Sequence, residues 1–429
     1  MSMKKTTKTA SSAAPRPKTI AILGAGGRGG LMASLIRNYS HLGRVVAVAE
    51  PREDYRANFA KNQKIPATKV FKDWREFIKK PKMCDAVVIC TLDREHVEPA
   101  VACLDLGYDV LLEKPMAATL ADCQAIEAAQ RRSGAIVGVC HSMRYHKGFR
   151  KVKELIAEGA IGRVMTLDLI ERVGYWHQAH SFVRGNWGNA TRTVPMLLAK
   201  SCHDIDYIAY LIGPDKPCRR VSSFGKLSHF TAANAPAGST ARCTDGCAVE
   251  VTCPYSAIKA YVQTADRTEW PASVCSIDHS AEAHMEAIRK GPYGRCVYRC
   301  DNDVVDHQVV LMEFDQDITA TFTMTAFTQG MGRKLRVHGD KAELTFDETR
   351  IVIKAFGDNN EQVITLGQET GGHGGGDNRV VRDWLHALHA RDDKGVVANA
   401  QESLRTHAIV FAAERSRNEC RMVELSEMR

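Results

Sequence analysis

The chain has 429 residues, of which 44% are hydrophobic and 25% are charged. This length predicts two or three domains, and this composition excludes a mostly disordered chain, a collagen and a coiled-coil rod. No run approaches the 18 or so consecutive apolar residues that a membrane-spanning helix needs, so we expect no such helix.

The net charge of +8 is unevenly placed, because the first 18 residues carry five basic side chains and no acidic one. The rest of the chain lacks the basic stripe of a nucleic-acid-binding protein. Residues 1–17 are predicted to be a disordered basic tail, and this tail lacks the apolar core of an export signal. We therefore expect a cytoplasmic protein with reduced cysteines and with no nucleic-acid or membrane partner.

Short apolar runs alternate with amphipathic stretches through residues 18–142. The predicted strands are Thr19–Leu23, Val45–Ala49, Ala86–Thr91, Val110–Glu113 and Ala135–Cys140. The predicted helices are Leu31–Arg37, Trp74–Lys79, His96–Leu106 and Leu120–Arg132. This α/β alternation predicts a parallel sheet covered on both faces, as in a Rossmann dinucleotide-binding domain.

Residues 143–429 have a different pattern, which predicts an α+β domain with a mostly antiparallel open sheet. Its predicted helices are Gly148–Glu158, Val194–Ile212, Asn378–Ala390 and Gln401–Arg417. Its predicted strands are Arg163–Arg172, Gln308–Phe314, Ile318–Phe327, Lys334–His338, Ala342–Phe346, Ile351–Ala355 and Val363–Leu366. Residues 225–303, rich in Gly, Pro and Cys, are predicted to be a long insertion.

A glycine-rich turn follows the first predicted strand. Gly24, Gly26 and Gly29 fit the pattern GxGxxG, and the turn runs into a predicted helix whose N-terminus suits a pyrophosphate. The next strand ends at Glu50, which is placed to accept hydrogen bonds from the adenosine ribose. Because its charge repels a 2′-phosphate, Glu50 favours NAD over NADP, and Arg52 softens that preference.

The predicted strand Val110–Glu113 leads into Lys114 and Pro115. A charged pair at the carboxyl end of a parallel strand lies where ligands bind in such sheets. Lys114 is suited to hydrogen-bond a reacting hydroxyl and ease its loss of a proton, and a surface ion pair is the alternative.

The run Gly24–Gly30, the run Thr91–His96, the motif Glu113-Lys114-Pro115 and the pair Arg144-Tyr145 together resemble the glucose–fructose oxidoreductase / inositol dehydrogenase (Gfo/Idh/MocA) family. The resemblance implies a Rossmann domain joined to an α/β domain whose open sheet often mediates oligomerisation, as a dimer or tetramer. It implies NAD(P)-dependent interconversion of an alcohol and a ketone on a sugar or cyclitol, with Lys114 as the catalytic lysine. The cofactor contacts that it implies, beyond the residues above, are Gly27, Arg28, Thr91, Asp93, His96, Glu113, Lys114 and Arg144.

The family usually places a catalytic histidine on a helix of the second domain, four residues after an aspartate. His203 matches that histidine, but Ala199 stands at the aspartate position. Lys200 is the candidate to act on His203 instead, although its helical angle differs by about 100°. A structural histidine is the alternative for His203.

Two runs are typical of a sugar-binding wall. The run Tyr175–Trp187 offers Trp176, His177, His180, Arg184 and Trp187, and an aromatic packing or oligomer loop is the alternative. The run Gly371–Asp377 offers His373 as a substrate ligand and Asp377 as a helix cap. It resembles a His-Gly-Gly motif of the NAD-dependent N-acetylgalactosaminidase-like glycosidases.

Cys243, Cys247 and Cys253 form a cysteine group in the insertion. Three thiolates can bind a structural zinc ion, but the spacing is not a standard CxxC pair, so free thiols are the favoured interpretation. We expect these cysteines to lie close together and away from the cofactor cleft.

The sequence therefore predicts an NAD-dependent oxidoreductase that acts on a CH–OH group of a sugar, glycoside or cyclitol. One alternative is an NAD-dependent glycosidase that works by transient oxidation and elimination. Another is an NAD-bound sugar sensor without turnover, which the missing aspartate at Ala199 favours weakly.

Overall fold

A computed structural model describes residues 16–367 and 371–428. The predicted tail lies almost wholly outside the described residues. The helices of the described residues are α1 Gly27–Asn38, α2 Glu53–Gln63, α3 Trp74–Ile78, α4 Val97–Asp105, α5 Leu120–Ser133, α6 Lys147–Ala157, α7 Tyr175–His177, α8 Met196–Ala199, α9 Cys202–Ile212, α10 Ala257–Tyr261, α11 Ala281–Lys290, α12 Gly376–Ala390 and α13 Ala400–Glu419. Among them, none is long and apolar enough to cross a membrane.

The first sheet has six strands in the order β3-β2-β1-β4-β5-β6, all parallel to their neighbours. The strands are β1 Lys18–Leu23, β2 Gly43–Ala49, β3 Val70–Phe71, β4 Ala86–Ile89, β5 Asp109–Leu112 and β6 Val137–Val139. The strand order reverses between β1 and β4, and a parallel sheet binds its ligands outside the carboxyl ends of the strands at such a point. The predicted Rossmann domain is confirmed.

The second sheet has nine strands in the order β14-β13-β12-β11-β7-β10-β9-β8-β15. The strands are β7 Val164–Arg172, β8 Cys218–Lys226, β9 His307–Phe314, β10 Ile318–Thr325, β11 Gly332–Gly339, β12 Ala342–Phe346, β13 Arg350–Ala355, β14 Glu361–Thr365 and β15 Val423–Glu424. Only β7 and β10 pair in parallel among these described strands. The predicted mostly antiparallel sheet is confirmed, and its inner face packs against α6, α9 and α13.

The helix predicted at Val194–Ile212 is two helices, α8 and α9. Lys200 (φ −106°) and Ser201 (φ −98°) depart from helical geometry between them. The carbonyl of Ala199 accepts a hydrogen bond from Lys114 Nζ at 2.7 Å. The break therefore lies where the second domain meets the carboxyl end of β5.

The last helices pack on the first sheet as well as on the second. Val380, Trp384 and Leu388 of α12 join the core on one face of the first sheet. The amide of Val139 in β6 donates to the carbonyl of Ala398 at 2.8 Å. The two sheets are thus joined by the carboxyl-terminal part of the chain as well as by the segment after β6.

Candidate active site

Two glycines of the turn after β1 have no room for a side chain. Gly24 has φ +91°, and a Cβ there would collide with the carbonyl oxygen of Cys90. A Cβ on Gly29 would collide with the carbonyl oxygen of Gly24. In contrast, a Cβ on Gly27 would meet nothing within 4 Å, so the start of α1 faces open space. A close turn with an open helix N-terminus fits the pyrophosphate of a dinucleotide.

Glu50 is buried at the end of β2 and receives several hydrogen bonds. The amide of Ala25 donates to it at 2.8 Å, and Arg52 donates from Nε at 2.6 Å and from its amide at 3.1 Å. Burial opposes ionisation of Glu50, but the hydrogen bonds from Arg52 and Ala25 outweigh it and lower its pKa. Glu50 is therefore a carboxylate at neutral pH, with half-exposed Arg52 beside it.

Arg28 connects the glycine-rich turn to both sides of the cleft. Its guanidinium pairs with Glu113, which follows β5, at 2.6 Å, and with Asp377 of α12 at 2.9 Å. The sequence assigned Arg28 and Glu113 to the cofactor, and the structure shows them paired with each other. These contacts fix the position of the turn relative to α12.

Lys114 extends from the carboxyl end of β5 to the break between α8 and α9. Its Nζ donates to the carbonyl of Ala199, and its amide donates to Glu113 at 3.2 Å. The buried ring of His96 supports the next residue, because its Nδ1 lies 2.7 Å from the carbonyl oxygen of Pro115 and its Nε2 lies 3.2 Å from that of Thr91. His96 and the Thr91 carbonyl therefore brace the loop that presents Lys114.

His203 lies in the first turn of α9 and is 2% exposed. Neither ring nitrogen has a hydrogen-bond partner among the described residues. Burial, together with the charge of Lys114, lowers the pKa of His203 well below its usual value. At neutral pH the imidazole is therefore uncharged. Its helix begins just after the break where the carbonyl of Ala199 accepts from Lys114 Nζ.

His373 lies beside His203, with 5.1 Å between the two ring centroids. Its Nδ1 is 3.1 Å from both carboxylate oxygens of Asp377. Asp377 also accepts hydrogen bonds from Ser142 and Arg28, and its pKa is lowered because His373 and Arg28 outweigh its burial. The prediction that Asp377 caps a helix is wrong, because α12 begins before it and its carboxylate orients His373 and Arg28.

Among the described residues, Lys200 forms no hydrogen bond with the ring of His203. Its Nζ forms an ion pair with Glu171 at 2.7 Å, near the end of β7. Glu171 and Asp204 both pair with the buried guanidinium of Arg333, at 3.1 Å and 2.5 Å. Lys200 is therefore part of an ionic cluster that joins β7 to the break before α9, and the proposal that it acts directly on His203 is corrected.

The predicted sugar-binding wall divides into two groups. Trp176 and His177 are half-buried, and their rings contact each other with 5.9 Å between centroids. His180 and Arg184 instead turn into the insertion and are 4% and 2% exposed. His180 bonds the hydroxyl of Tyr261 at 3.0 Å, and Arg184 donates to insertion carbonyls, so their assignment to substrate is corrected.

Three other predicted residues are occupied by protein contacts. Trp187 donates from Nε1 to Asp93 at 2.7 Å, so these two bind each other across the domains. Arg144 is buried and forms a two-pronged ion pair with Asp206, with both distances 2.8 Å. The assignment of Arg144 to the cofactor is corrected, because its charge is neutralised inside the interface between β6 and α9.

The cysteine group surrounds one small cavity of about 20 Å³ in the insertion, lined by Cys243, Cys247, Cys253 and also Cys296. No group of three or more His, Cys, Asp or Glu side chains in the described residues is arranged to hold a metal ion. All 14 cysteines are free thiols. The predicted clustering is confirmed, and a structural zinc ion is not supported.

Sequence reasoning missed Trp270, whose ring contacts Trp176, His177 and His180. It lies in a weakly periodic segment, where a lone aromatic residue gives no sign of its partners. The pairing of His373 with Asp377 was missed as well, although a spacing of four residues was its available signal.

Two family models together match most of the chain. The model of an oxidoreductase family with an NAD-binding Rossmann fold matches residues 18–141, and the model of that family's C-terminal alpha/beta domain matches residues 153–425. The chain belongs to the Gfo/Idh/MocA oxidoreductase family. The chain is therefore an oxidoreductase with an NAD(P)-binding Rossmann domain, and the resemblance stated from the sequence is confirmed.

Individual Gfo/Idh/MocA relatives are distant. The Bacillus subtilis oxidoreductase YteT is 25% identical over 363 residues, which are 80% of this chain and 82% of that protein. The myo-inositol 2-dehydrogenase of Thermotoga maritima is 27% identical over 169 residues, which are 39% of this chain and 47% of that protein. The solved structure of levoglucosan dehydrogenase with NADH and L-sorbose has a TM-score of 0.70 at 16% identity and covers 96% of this chain and 99% of that one.

Proposed function

We propose that this protein is an NAD-dependent dehydrogenase that oxidises a CH–OH group of a sugar, glycoside or cyclitol. The observation that carries the proposal is the hydrogen bond from Lys114 Nζ, at the carboxyl end of β5, to the carbonyl of Ala199 at the break before α9, whose first turn carries His203. The turn after β1 of the same chain suits a dinucleotide. The printed names of two relatives, an inositol dehydrogenase and a levoglucosan dehydrogenase, support this substrate class.

The proposed roles follow from the chemistry of the two side chains. The ammonium of Lys114 donates a hydrogen bond to the substrate oxygen and stabilises the negative charge that develops there. The neutral imidazole of His203 accepts the hydroxyl proton. When bound, NAD supplies the hydride acceptor. The backbone of the Gly24–Gly29 turn would hold the pyrophosphate, and Glu50 would hold the ribose.

The decisive experiment is a screen of the purified protein with NAD and with NADP against sugars, cyclitols and aryl glycosides, following both NADH and released aglycone. NADH that accumulates in proportion to substrate consumed supports the dehydrogenase. If no compound yields NADH above the rate without substrate, the proposal is wrong.

A glycosidase is the second candidate, because His373 offers a second imidazole 5.1 Å from His203 between ring centroids. Elimination after oxidation needs a second acid or base, and the His373–Asp377 pair is suited to that role. Aglycone release without net NADH in the same screen would favour the glycosidase over the dehydrogenase. Sugar binding with neither product would favour a sensor.

We also propose that the protein is a cytoplasmic homo-oligomer, a dimer or a tetramer, which associates through the outer face of its second sheet. Phe224 of β8, Leu311 of β9 and Met165 of β7 are exposed large apolar side chains of this sheet. Light scattering on the purified protein tests the oligomer, and a monomer at micromolar concentration would contradict it.

A further inference from the structure

Two tryptophans from distant parts of the chain contact each other in the second domain. Trp176 is in α7, just after β7, and Trp270 is in the insertion, with 5.3 Å between ring centroids and 55° between ring planes. Trp270 is 43% exposed. It is held edge to face by His177 at 4.8 Å and by His180 at 5.3 Å between centroids. A large ring that is fixed by three neighbours and still open to solvent is a preorganised binding surface.

Two sets of contacts relate this pair to the proposed catalytic groups. Lys114 Nζ bonds the carbonyl of Ala199, and the next residue, Lys200, pairs with Glu171 at 2.7 Å. Trp176 is five residues after Glu171 and lies in α7, just beyond the end of β7. His177, which contacts Trp270, also contacts Phe182 at 5.6 Å between ring centroids, and Phe182 contacts Trp187 at 6.1 Å. Trp187 donates from Nε1 to Asp93, which follows β4 at the carboxyl edge of the first sheet, at 2.7 Å. A continuous series of side-chain contacts therefore leads from the indoles to the carboxyl edge of the first sheet, the edge from which Lys114 extends.

The chemistry of the pair indicates what it binds. Indole faces attract the apolar C–H faces of pyranose rings and the faces of aryl groups. Lys114 and His203 act on one hydroxyl of one ring. The two indoles lie on other elements and have no group that could take part in removing the hydroxyl proton. They are placed for a group that is attached to the reacting sugar.

We propose that Trp270, together with Trp176, forms a subsite for a second ring of the substrate, a pyranose or an aryl group joined to the sugar that is oxidised. The proposal rests on the proposed function for its substrate class and makes the substrate a glycoside. It also gives the insertion a role in specificity, because Trp270 belongs to the insertion.

The kinetic test compares Trp270→Ala and Trp270→Phe in the full chain with the unmodified protein. For the sugar identified by the screen, kcat/KM is measured with the monosaccharide, with its disaccharides and with its phenyl glycoside. We expect Trp270→Ala to lower the ratio of kcat/KM for the two-ring compounds to that for the monosaccharide by about tenfold. Trp270→Phe should recover part of the ratio, because it keeps an aromatic face.

The matched control is Phe356→Ala, which removes an aromatic ring of 63% exposure beyond the end of β13. This variant should leave the ratio unchanged. A loss with disaccharides alone identifies the second ring as a pyranose, and a loss with the phenyl glycoside alone identifies it as an aryl group. Equal effects of Trp270→Ala on one-ring and two-ring compounds, or no effect, would overturn the proposal.

A binding measurement separates this proposal from the proposed function. Titration of the protein's tryptophan fluorescence with cellobiose, maltose and lactose, and with glucose and galactose as one-ring references, needs no turnover. We expect at least one disaccharide to change the fluorescence more strongly than its monosaccharide, and Trp270→Phe to abolish the difference. If this holds while no compound is oxidised, the subsite stands and the dehydrogenase proposal fails. If oxidation occurs without a Trp270-dependent difference, the subsite fails alone.

Discussion

Lys114 follows β5 at its carboxyl end, and its side chain extends to an acceptor in the second domain. Its ammonium bonds the carbonyl of Ala199 rather than a carboxylate. A carbonyl acceptor leaves the positive charge of Lys114 without a paired anion at that contact. The charge is then available to a substrate oxygen as negative charge develops on it.

We predict that Lys114→Ala lowers kcat by about 10²–10³-fold, because the hydrogen-bond donor that stabilises the developing negative charge is lost. The affinity for NAD should change little, since the turn after β1 holds the pyrophosphate. Steady-state kinetics and a fluorescence titration with NAD measure the two effects. Lys394→Ala, at a side chain that is 89% exposed, is the control. Loss of NAD affinity as large as the loss of kcat would contradict the assigned role.

A second prediction concerns Glu50 and the choice between NAD and NADP. Glu50→Ala should narrow the preference for NAD over NADP, because it removes the repulsion of a 2′-phosphate and frees Arg52, now bonded to Glu50 at 2.6 Å. Dissociation constants for the two cofactors measure the change. The double variant Glu50→Ala/Arg52→Ala should lose the gain in NADP affinity. Tighter binding of NADP than NAD by the unmodified protein would refute the assigned preference.

At single residues, the sequence was informative where the determinants are local. Gly24 and Gly29 could be predicted because the turn and the helix that constrain them are contiguous in the chain. The pairing of Arg28 with Asp377 could not, since the two are 349 residues apart and no local pattern joins them. Arg144 shows the same limit, because its motif indicates a cofactor contact while Asp206, from a distant helix, takes its charge.

At the scale of elements, apolar periodicity located most strands of both sheets, but it missed β3, β8 and β15. It also missed the break between α8 and α9. Residues 194–212 are apolar enough to read as one helix. The break depends on Lys200 reaching Glu171 and on Lys114 reaching the carbonyl of Ala199. Both are tertiary contacts, and a helical pattern in the sequence carries no information about them. The insertion was predicted as a loop, and its short helices α10 and α11 pack around its own small cores.

The contact between α1, the loop after β5 and α12 through Arg28 leads to a stability prediction. Arg28→Ala would leave Glu113 and Asp377, which are 5% and 0% exposed, without their shared cation. We expect a loss of about 1–3 kcal/mol in the free energy of unfolding, discounted because Arg28 itself is 34% exposed.

Urea unfolding measures this loss, and Arg28→Lys should restore part of it. Arg415→Ala is the matched control, since its partners Glu419 and Glu427 are exposed. A change below about 0.5 kcal/mol for Arg28→Ala would show that the contact contributes no more than an ordinary surface ion pair.

For the molecule as a whole, buried histidines set the response to acid. Burial lowers the pKa of His141 to about 4 and that of His407 to about 3. Their unfolded pKa is about 6.5, so the unfolded chain binds more protons below that pH and stability falls as the pH falls from about 6.5 toward 4. Each histidine should cost about 2 kcal/mol at pH 5. Burial raises the pKa of Asp204 to about 6. Protonation of this carboxyl group favours the folded protein, so it opposes the loss of stability over part of this pH range.

The midpoint of thermal unfolding, measured between pH 8 and pH 5, checks this prediction. We expect a decrease that steepens below about pH 6.5. His141→Gln should make the decrease shallower, whatever its stability at pH 8, because one titrating group is gone. Asp206, whose pKa is lowered to about 2 by Arg144 against its burial, does not titrate in this window. A midpoint that is constant from pH 8 to pH 5 would contradict the prediction.

The packing of α12 on the first sheet has a consequence for how the protein is made. Val380, Trp384 and Leu388 cover an apolar face formed by residues such as Ile20 and Ile22, which leave the ribosome far earlier. During synthesis this face stays uncovered until Gly376–Ala390 has emerged. The domain that is made first is therefore completed last, and a nascent chain halted before α12 is a natural target for chaperones that bind exposed apolar strands.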